Sequence, residues 1–227
     1  MSRTLLAVQG SPRKNGNTNS LLLHLLDGAM EAGATTMLVH LAGLTIRECD
    51  GCLACWRGKP CTKHDDLPPL LEQVAAADVV VFGTPVYWYG PTGLMKLFLD
   101  RFVYFNCPEH RPLVRGKSAA LVVPFEEESA AAAGPLVSMF ELSLRYLEMN
   151  LVDTLLVPGS GERQAVLGAN FDLDCGLGDG HGCVHPSWRR PRTWILAPIL
   201  AAGRRRRCEG CWGPPRSGGA WPSIRRR

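Results

Sequence analysis

Long apolar runs are missing from this sequence. No stretch of eighteen consecutive apolar residues occurs, and a membrane-spanning helix needs about that many. The opening residues, Met1–Arg3, lead directly into a short apolar segment that reaches a polar loop by Gly10. That segment is too short for a secretory signal peptide and has no cleavage site. We therefore expect no membrane association and a cytoplasmic location.

Two common phosphate-binding motifs are missing as well. The chain has no G-x-x-x-x-G-K-[ST], which excludes the P-loop of nucleoside triphosphatases. It also has no G-x-G-x-x-G after its first apolar segment, which argues against a Rossmann dinucleotide site. With 227 residues and a hydrophobic fraction of 46%, the chain is still long and apolar enough for one sizeable globular domain.

The net charge of +4 is not spread evenly along the chain. Residues 168–227 contain eleven arginines and four acidic side chains, whereas residues 1–167 contain fourteen basic and seventeen acidic ones. Residues 1–167 are interpreted as one mildly acidic domain, which argues against nucleic-acid binding there. Residues 168–227 lack periodicity and are interpreted as a disordered or frameshifted tail, with a basic nucleic-acid-binding arm as the alternative.

Short apolar segments alternate with segments of helical periodicity in residues 1–167. The predicted strands are Thr4–Gln9, Thr35–His40, Asp78–Gly83, Lys117–Val123 and Val152–Val157. The predicted helices are Asn19–Glu31, Asp65–Ala77, Pro91–Phe105 and Ser129–Asn150. Right-handed crossovers join such elements into a doubly wound parallel sheet with helices on both faces, so we predict a three-layer α/β/α domain. Ligands of such sheets bind beyond the carboxyl ends of the strands.

The loop after the first predicted strand is rich in hydrogen-bond donors and leads straight into a helix. A helix N-terminus offers free backbone N–H groups and the positive end of a dipole, which favour an anion. Neutral donors (Ser11, Asn17, Thr18) surround one charged side chain, Arg13. The pattern predicts a site for a phosphate monoester, and an ordinary polar turn is the alternative.

The loop after the third predicted strand contains three adjacent aromatic residues, Tyr87, Trp88 and Tyr89. They are candidates for the wall of a site for a flat ring system, and Gly90 and Gly93 would allow the backbone to approach it closely. The alternative is that these aromatic rings cover the sheet edge as part of the core.

Four of the nine cysteines fall within thirteen residues, in the spacing Cys49-x2-Cys52-x2-Cys55-x5-Cys61. Soft thiolate ligands in this number suit an iron–sulfur cluster or zinc. The compact C-x2-C-x2-C spacing is more typical of a [4Fe–4S] cluster. Free or disulfide-forming thiols are a further alternative. Cys107 stands apart and is expected to be a buried core thiol.

Together, GSPRKNGNT after the first strand and GTPVYWYGPTGLMKLFLDR after the third resemble the NADPH-dependent FMN reductase and iron–sulfur flavoprotein branch of the flavodoxin-like superfamily. The resemblance covers about residues 4–160 and implies a five-stranded sheet in the order 2-1-3-4-5. It implies a phosphate site formed by Ser11, Arg13, Asn17, Thr18 and Asn19. It implies a site for the isoalloxazine ring and ribityl chain formed by Pro85, Val86, Tyr87, Trp88, Tyr89 and Gly90.

The resemblance also implies an enzyme that moves hydride from NAD(P)H to FMN and electrons onward to a small-molecule or protein acceptor. The cysteine spacing is similar to that of the iron–sulfur flavoproteins, so an electron carrier fed by ferredoxin is one alternative. A non-catalytic metal- or nucleic-acid-binding module is another. A homodimer or tetramer is expected by resemblance. Glu126–Glu128 depart from the small, glycine-rich loop common in the family and are interpreted as solvated acidic residues.

Overall fold

The computed structural model describes residues 2–162 as one five-stranded parallel sheet in the order β2-β1-β3-β4-β5. The strands are β1 (Thr4–Gln9), β2 (Thr35–His40), β3 (Val79–Gly83), β4 (Ser118–Pro124) and β5 (Asn150–Val157). The fold and strand order that the sequence and its resemblance predict are therefore confirmed. The predicted tail, residues 168–227, and the boundary at residue 167 lie outside the described residues.

Helices cover both faces of the sheet. They are α1 (Asn17–Glu31), α2 (Leu67–Ala76), α3 (Gly93–Asp100), α4 (Val103–Asn106) and α5 (Gly134–Tyr146). On one face, buried leucines of α1 pack against alternate residues of β1 and β3. On the other face, α2, α3, α4 and α5 enclose a core around Phe82 and Phe140, whose ring centroids lie 5.4 Å apart. Within residues 2–162, no helix is both long and apolar enough to cross a membrane.

The single helix predicted over Pro91–Phe105 is wrong, because the structure divides it. Helix α3 begins at Gly93, after Thr92, whose side chain accepts a hydrogen bond from the Met95 N–H. Its end tightens, since the N–H groups of Arg101 and Phe102 bond to carbonyls three residues earlier rather than four. The chain then starts again as α4.

The helix predicted over Ser129–Asn150 is also too long at both ends. Ser129 caps a short 3-10 turn at Ala130–Ala133, and α5 follows it. Glu148 has a left-handed φ of 60°, which ends the helical path, so Asn150 belongs to β5. The other elements begin and end within two residues of their predicted bounds.

Candidate functional site

The loops that follow β1 and β3 lie side by side. The N–H of Gly10 donates to the carbonyl of Gly83 over 2.7 Å, and the Thr92 hydroxyl donates to the carbonyl of Gly10 over 2.5 Å. Because Thr92 also caps α3, one side chain fastens the first loop to the helix that follows the third strand. The two loops that the sequence predicted as parts of a site therefore lie together at the carboxyl ends of the strands.

Two glycines allow helices to reach these strand ends. A Cβ at Gly10 would lie 2.8 Å from Cβ of Met95 in α3. A Cβ at Gly83 would lie 2.6 Å from Cδ1 of Leu22 in α1. Both distances are far below contact distance, so a side chain at Gly10 would push α3 away from the site, and one at Gly83 would displace the side chain of Leu22.

The N-terminus of α1 is open to an anion. Gly16 occupies the N-cap without a capping side chain, and the first turn holds no acidic residue. Ser11, Thr18 and Asn19 are buried around this turn, while Arg13 is exposed beside it. Backbone N–H groups of a first helical turn have no partner within the helix, so they can donate to a phosphate.

Asn17 has a bonding role that its motif did not predict. Its side-chain amide donates to the carbonyls of Ser160 and Glu162, at 2.7 and 2.8 Å. These bonds fasten the segment after β5 to the start of α1. Both hydrogens of the side-chain amide can be engaged in these two bonds.

Tyr87–Gly90, named here the aromatic turn, is a tight two-residue turn closed by reciprocal hydrogen bonds of 2.8 and 3.0 Å between its end residues. Its central residues, Trp88 and Tyr89, have φ of 49° and 62°, a left-handed conformation that is uncommon for aromatic residues. Their exposed fractions are 97% and 58%, and that of Tyr87 is 45%. The alternative that these rings belong to the core is therefore wrong.

Half-buried residues form the base of the aromatic turn. Val86 packs against the main core, and its N–H bonds to the carbonyl of Pro124 at the end of β4 over 3.3 Å. Pro85 lies beside it and is also half-buried. The turn is thus anchored between the ends of β3 and β4. A wall of a ligand site needs such an anchor to keep a fixed position. Glu126–Glu128, in the next loop, are exposed as expected.

All four clustered cysteines line one cavity, named here the cysteine cavity. Cys49, Cys55 and Cys61 are half-buried, Cys52 is exposed, and all are free thiols. Burial raises the pKa of the Cys55 thiol. Cys107 is a separate buried thiol, as expected, and its sulfur lies 2.9 Å from Nδ1 of His110.

Side chains, rather than regular secondary structure, hold the chain around this cavity. Asp66 accepts a hydrogen bond from the Thr45 N–H over 2.7 Å, and Lys63 pairs with Asp50 at 2.8 Å. Arg57 donates to the carbonyl of Cys52 over 2.8 Å. Asp66 stands at the N-cap of α2 but makes no side-chain bond to that helix. Asp65 instead accepts a hydrogen bond from the Leu67 N–H at the start of the helix, over 3.3 Å.

The site contains a buried ion pair that sequence reasoning missed. Arg101 and Asp65 are bonded at 2.7 Å, with side-chain exposures of 3% and 0%. Burial alone would lower the pKa of Arg101, but its bond to Asp65 and the nearby cysteine sulfurs outweigh burial and raise it. Burial alone would raise the pKa of Asp65, but bonds from Arg101, Arg47 and Leu67 leave it below its ordinary value. The sequence feature that pointed to this pair was Arg101 itself, an arginine at the end of the apolar segment LFLDR.

The four thiols of the cavity are of the ligand type that an iron–sulfur cluster requires. Among residues 2–162, no three His, Cys, Asp or Glu side chains converge closely enough to hold one metal ion. Zinc requires sulfurs at about 2.3 Å from one point. The cysteines of a [4Fe–4S] cluster each bind a different iron, so their sulfurs stand farther apart around a larger body. Four thiols around one cavity provide that donor set.

Comparison with known proteins agrees with this geometry. Residues 3–157 match the family model described as NADPH-dependent FMN reductase. An iron–sulfur flavoprotein of Archaeoglobus fulgidus is 30% identical over 156 residues, which cover 69% of this chain and 77% of that protein. An iron–sulfur flavoprotein of Methanocaldococcus jannaschii is 33% identical over 97 residues, 43% of this chain and 50% of that protein.

A solved structure shows the same fold. The NAD(P)H:quinone oxidoreductase from Methanothermobacter marburgensis superposes with a TM-score of 0.56 at 18% identity, over 70% of this chain and 85% of that one. The family match spans most of the chain and includes both loops of the site. This chain therefore belongs to the NADPH-dependent FMN reductase family and is an oxidoreductase of that type.

Proposed function

We propose that this chain binds FMN between the loop after β1 and the loop after β3. When bound, FMN supplies hydride acceptance from NAD(P)H and electron release to an acceptor. The observation that carries the proposal is the direct bonding between these loops, through Gly10, Gly83 and Thr92, beside an uncapped helix N-terminus.

The residues of the two loops have distinct proposed roles. Ser11, Thr18 and the backbone N–H groups from Asn17 to Asn19 bind the phosphate, and Arg13 adds positive charge at the rim. Pro85, Val86 and Gly90 form the base of the ring site, while the exposed aromatic side chains cover it. No protein side chain need exchange a proton in hydride transfer, so these residues bind and orient the reactants and exclude water.

We further propose that Cys49, Cys52, Cys55 and Cys61 hold a [4Fe–4S] cluster. The cluster would supply one-electron transfer to a protein or small-molecule acceptor. The support is the common cavity of the four thiols and the similarity to iron–sulfur flavoproteins over 77% of the length of one of them. The same observations favour a second candidate, a carrier that receives electrons from ferredoxin instead of NAD(P)H.

We also propose that this chain forms a homodimer or tetramer. Trp88 exposes 97% of its surface at the tip of the aromatic turn, where it has a left-handed backbone conformation. Large apolar side chains that remain exposed at a functional loop are typical of surfaces that a ligand or another subunit covers. Sedimentation of the flavin-loaded protein tests this expectation.

The experiment that tests FMN binding compares FMN with riboflavin, which lacks the phosphate. Fluorescence titration should show tighter binding of FMN, and Arg13→Ala should weaken FMN binding about tenfold while riboflavin binding stays constant. Lys14→Ala is the matched control, because Lys14 is a neighbouring exposed cation with no proposed contact. Equal affinity of the wild type for the two flavins contradicts the phosphate site.

Steady-state kinetics separates the two candidate functions. The FMN-loaded protein should oxidise NADPH when a quinone is added as acceptor. If NADPH is not oxidised but reduced ferredoxin bleaches the flavin absorbance, the carrier is the correct function.

A further inference from the structure

Arg101 is the buried charge that faces the cysteine cavity. Its guanidinium Nη2 lies 3.2 Å from Sγ of Cys61, and Nη1 lies 2.7 Å from a carboxylate oxygen of Asp65. The other charged side chains that line the cavity among the described residues are Asp50 and Lys63, which pair with each other near solvent. Solvent screens that pair far more strongly than it screens Arg101.

The same ion pair holds the start of the cysteine segment. Nη1 of Arg101 donates to the carbonyl of Arg47 over 3.0 Å, and Asp65 accepts from the N–H of Arg47 over 2.9 Å. Arg47 lies two residues before Cys49, and Cys61 is the last of the four cysteines. Arg101 therefore touches both ends of the segment that carries the thiols, and its position relative to them is fixed by several bonds.

We propose that Arg101 is a positioning and tuning residue that raises the reduction potential of the iron–sulfur cluster held in this cavity. The inference rests on the cluster assigned above to the four cysteines. Reduction adds one electron to a group already surrounded by four thiolates, so the added charge is repelled by its ligands. A fixed cation and an N–H···S hydrogen bond stabilise the reduced form more than the oxidised form.

Arginine suits this role for a chemical reason. Its guanidinium remains protonated at all pH values that the protein tolerates, and its planar fork can bond a sulfur, a carboxylate and a carbonyl at once. Asp65 has the opposite electrostatic effect, because its negative charge is bonded to the same guanidinium and offsets the positive charge near the cavity. Removing one charge or the other should move the potential in opposite directions, which a purely structural role would not do.

The test is a dithionite titration of anaerobically reconstituted protein, followed by electron paramagnetic resonance of the reduced cluster. Relative to the wild type, Arg101→Gln should lower the midpoint potential and Asp65→Asn should raise it. Arg101→Lys keeps the charge and should lower the potential less than Arg101→Gln does. Arg115→Gln is the matched control and should leave it unchanged, since Arg115 is exposed, pairs with Glu148 and does not line the cysteine cavity.

Each outcome has one meaning. A wild-type protein that binds FMN but no cluster overturns the cluster proposal and this inference with it. A normal wild-type cluster whose potential is the same in Arg101→Gln and Asp65→Asn overturns this inference alone. If Arg101→Gln fails to fold, the opposite shifts expected for Asp65→Asn and Arg101→Lys decide the question, and shifts of the same sign contradict it.

Discussion

The two loops of the proposed FMN site and the cysteine segment are held in place by different kinds of contact. The loops after β1 and β3 are fixed mainly by backbone: parallel strand pairing, the Gly10–Gly83 bond and the close approach of two helices to glycines. The cysteine segment has one 3-10 turn, Cys55–Arg57, and is otherwise held by charged side chains. Many sequences can form the first kind of site, whereas the second depends on a few residues that must occur together.

The difference predicts how each site responds to substitution. In the region of the proposed flavin site, the unfolding free energy should change little when exposed side chains are replaced and should fall when a helix is displaced. A cysteine cavity held by ion pairs should fail when one buried charge is left without its partner. The predictions below test this contrast.

The largest expected effect comes from Asp65→Ala. The substitution leaves the Arg101 cation buried without its carboxylate, and removing one partner of a buried ion pair costs about 3–5 kcal/mol of unfolding free energy. Urea unfolding followed by circular dichroism measures it. Asp100→Ala is the control, because Asp100 pairs with Lys96 at the surface, where such pairs contribute about 0.5 kcal/mol. Equal losses of unfolding free energy in Asp65→Ala and Asp100→Ala would show that the cysteine segment does not depend on its buried ion pair.

Lowering the pH should remove part of the unfolding free energy that the Arg101–Asp65 pair contributes. The pKa of Asp65 is lower in the folded chain than its ordinary value, so the folded state favours the carboxylate. This contribution is complete above the ordinary pKa of an aspartate and is lost as the pH falls through the lowered pKa. Unfolding free energies measured from pH 6 downward should therefore decrease more steeply in the wild type than in Asp65→Asn. If the unfolding free energies of the wild type and Asp65→Asn fall in parallel with pH, the carboxylate form of Asp65 is not stabilised by its partners.

Gly10→Ala tests the backbone-built site. The new Cβ would lie 2.8 Å from Cβ of Met95, so α3 must move, at a cost of about 1–3 kcal/mol. FMN affinity, measured by fluorescence titration, should fall with it. Gly43→Ala is the control, since a Cβ there meets nothing within 4 Å. Unchanged FMN binding in Gly10→Ala would show that the strand-end packing does not shape the site.

Thr92→Ala should have a smaller effect. It removes the cap of α3 and the bond to Gly10, and loss of an N-cap side chain costs about 1 kcal/mol. Thr92→Ser keeps the hydroxyl and should restore most of the unfolding free energy and the FMN affinity. If serine and alanine are equally destabilising, the methyl group rather than the hydroxyl matters.

Trp88→Ala should change stability least. At 97% exposure the side chain has little contact to lose, so the unfolding free energy of the unliganded chain should change by less than about 0.5 kcal/mol. A loss of about 3–5 kcal/mol would instead show that the ring is buried in the folded protein. FMN affinity should fall in the same variant, because the ring belongs to the proposed cover of the flavin.

Sequence patterns predicted the parallel sheet and the meeting of the two loops, because parallel strand ends bring sequence-distant loops to one edge. The strand order was implied by the family resemblance and not by the patterns themselves. The same local patterns missed the interruption of the helix at Arg101. Periodicity reports which face is apolar, but not that Arg101 is drawn into the interior by Asp65, which lies just before α2. The nearly complete exposure of Trp88 was not predicted, because the left-handed positions of its turn are held by Trp88 and Tyr89 and not by glycines that would signal them.

The most direct test of the account is an anaerobic absorbance titration of the reconstituted wild-type protein with NADPH, with FMN and iron quantified. The account predicts one bound FMN and about four iron atoms for each chain, and bleaching of the flavin absorbance on addition of NADPH. A folded protein that binds no FMN from an excess in solution would contradict it.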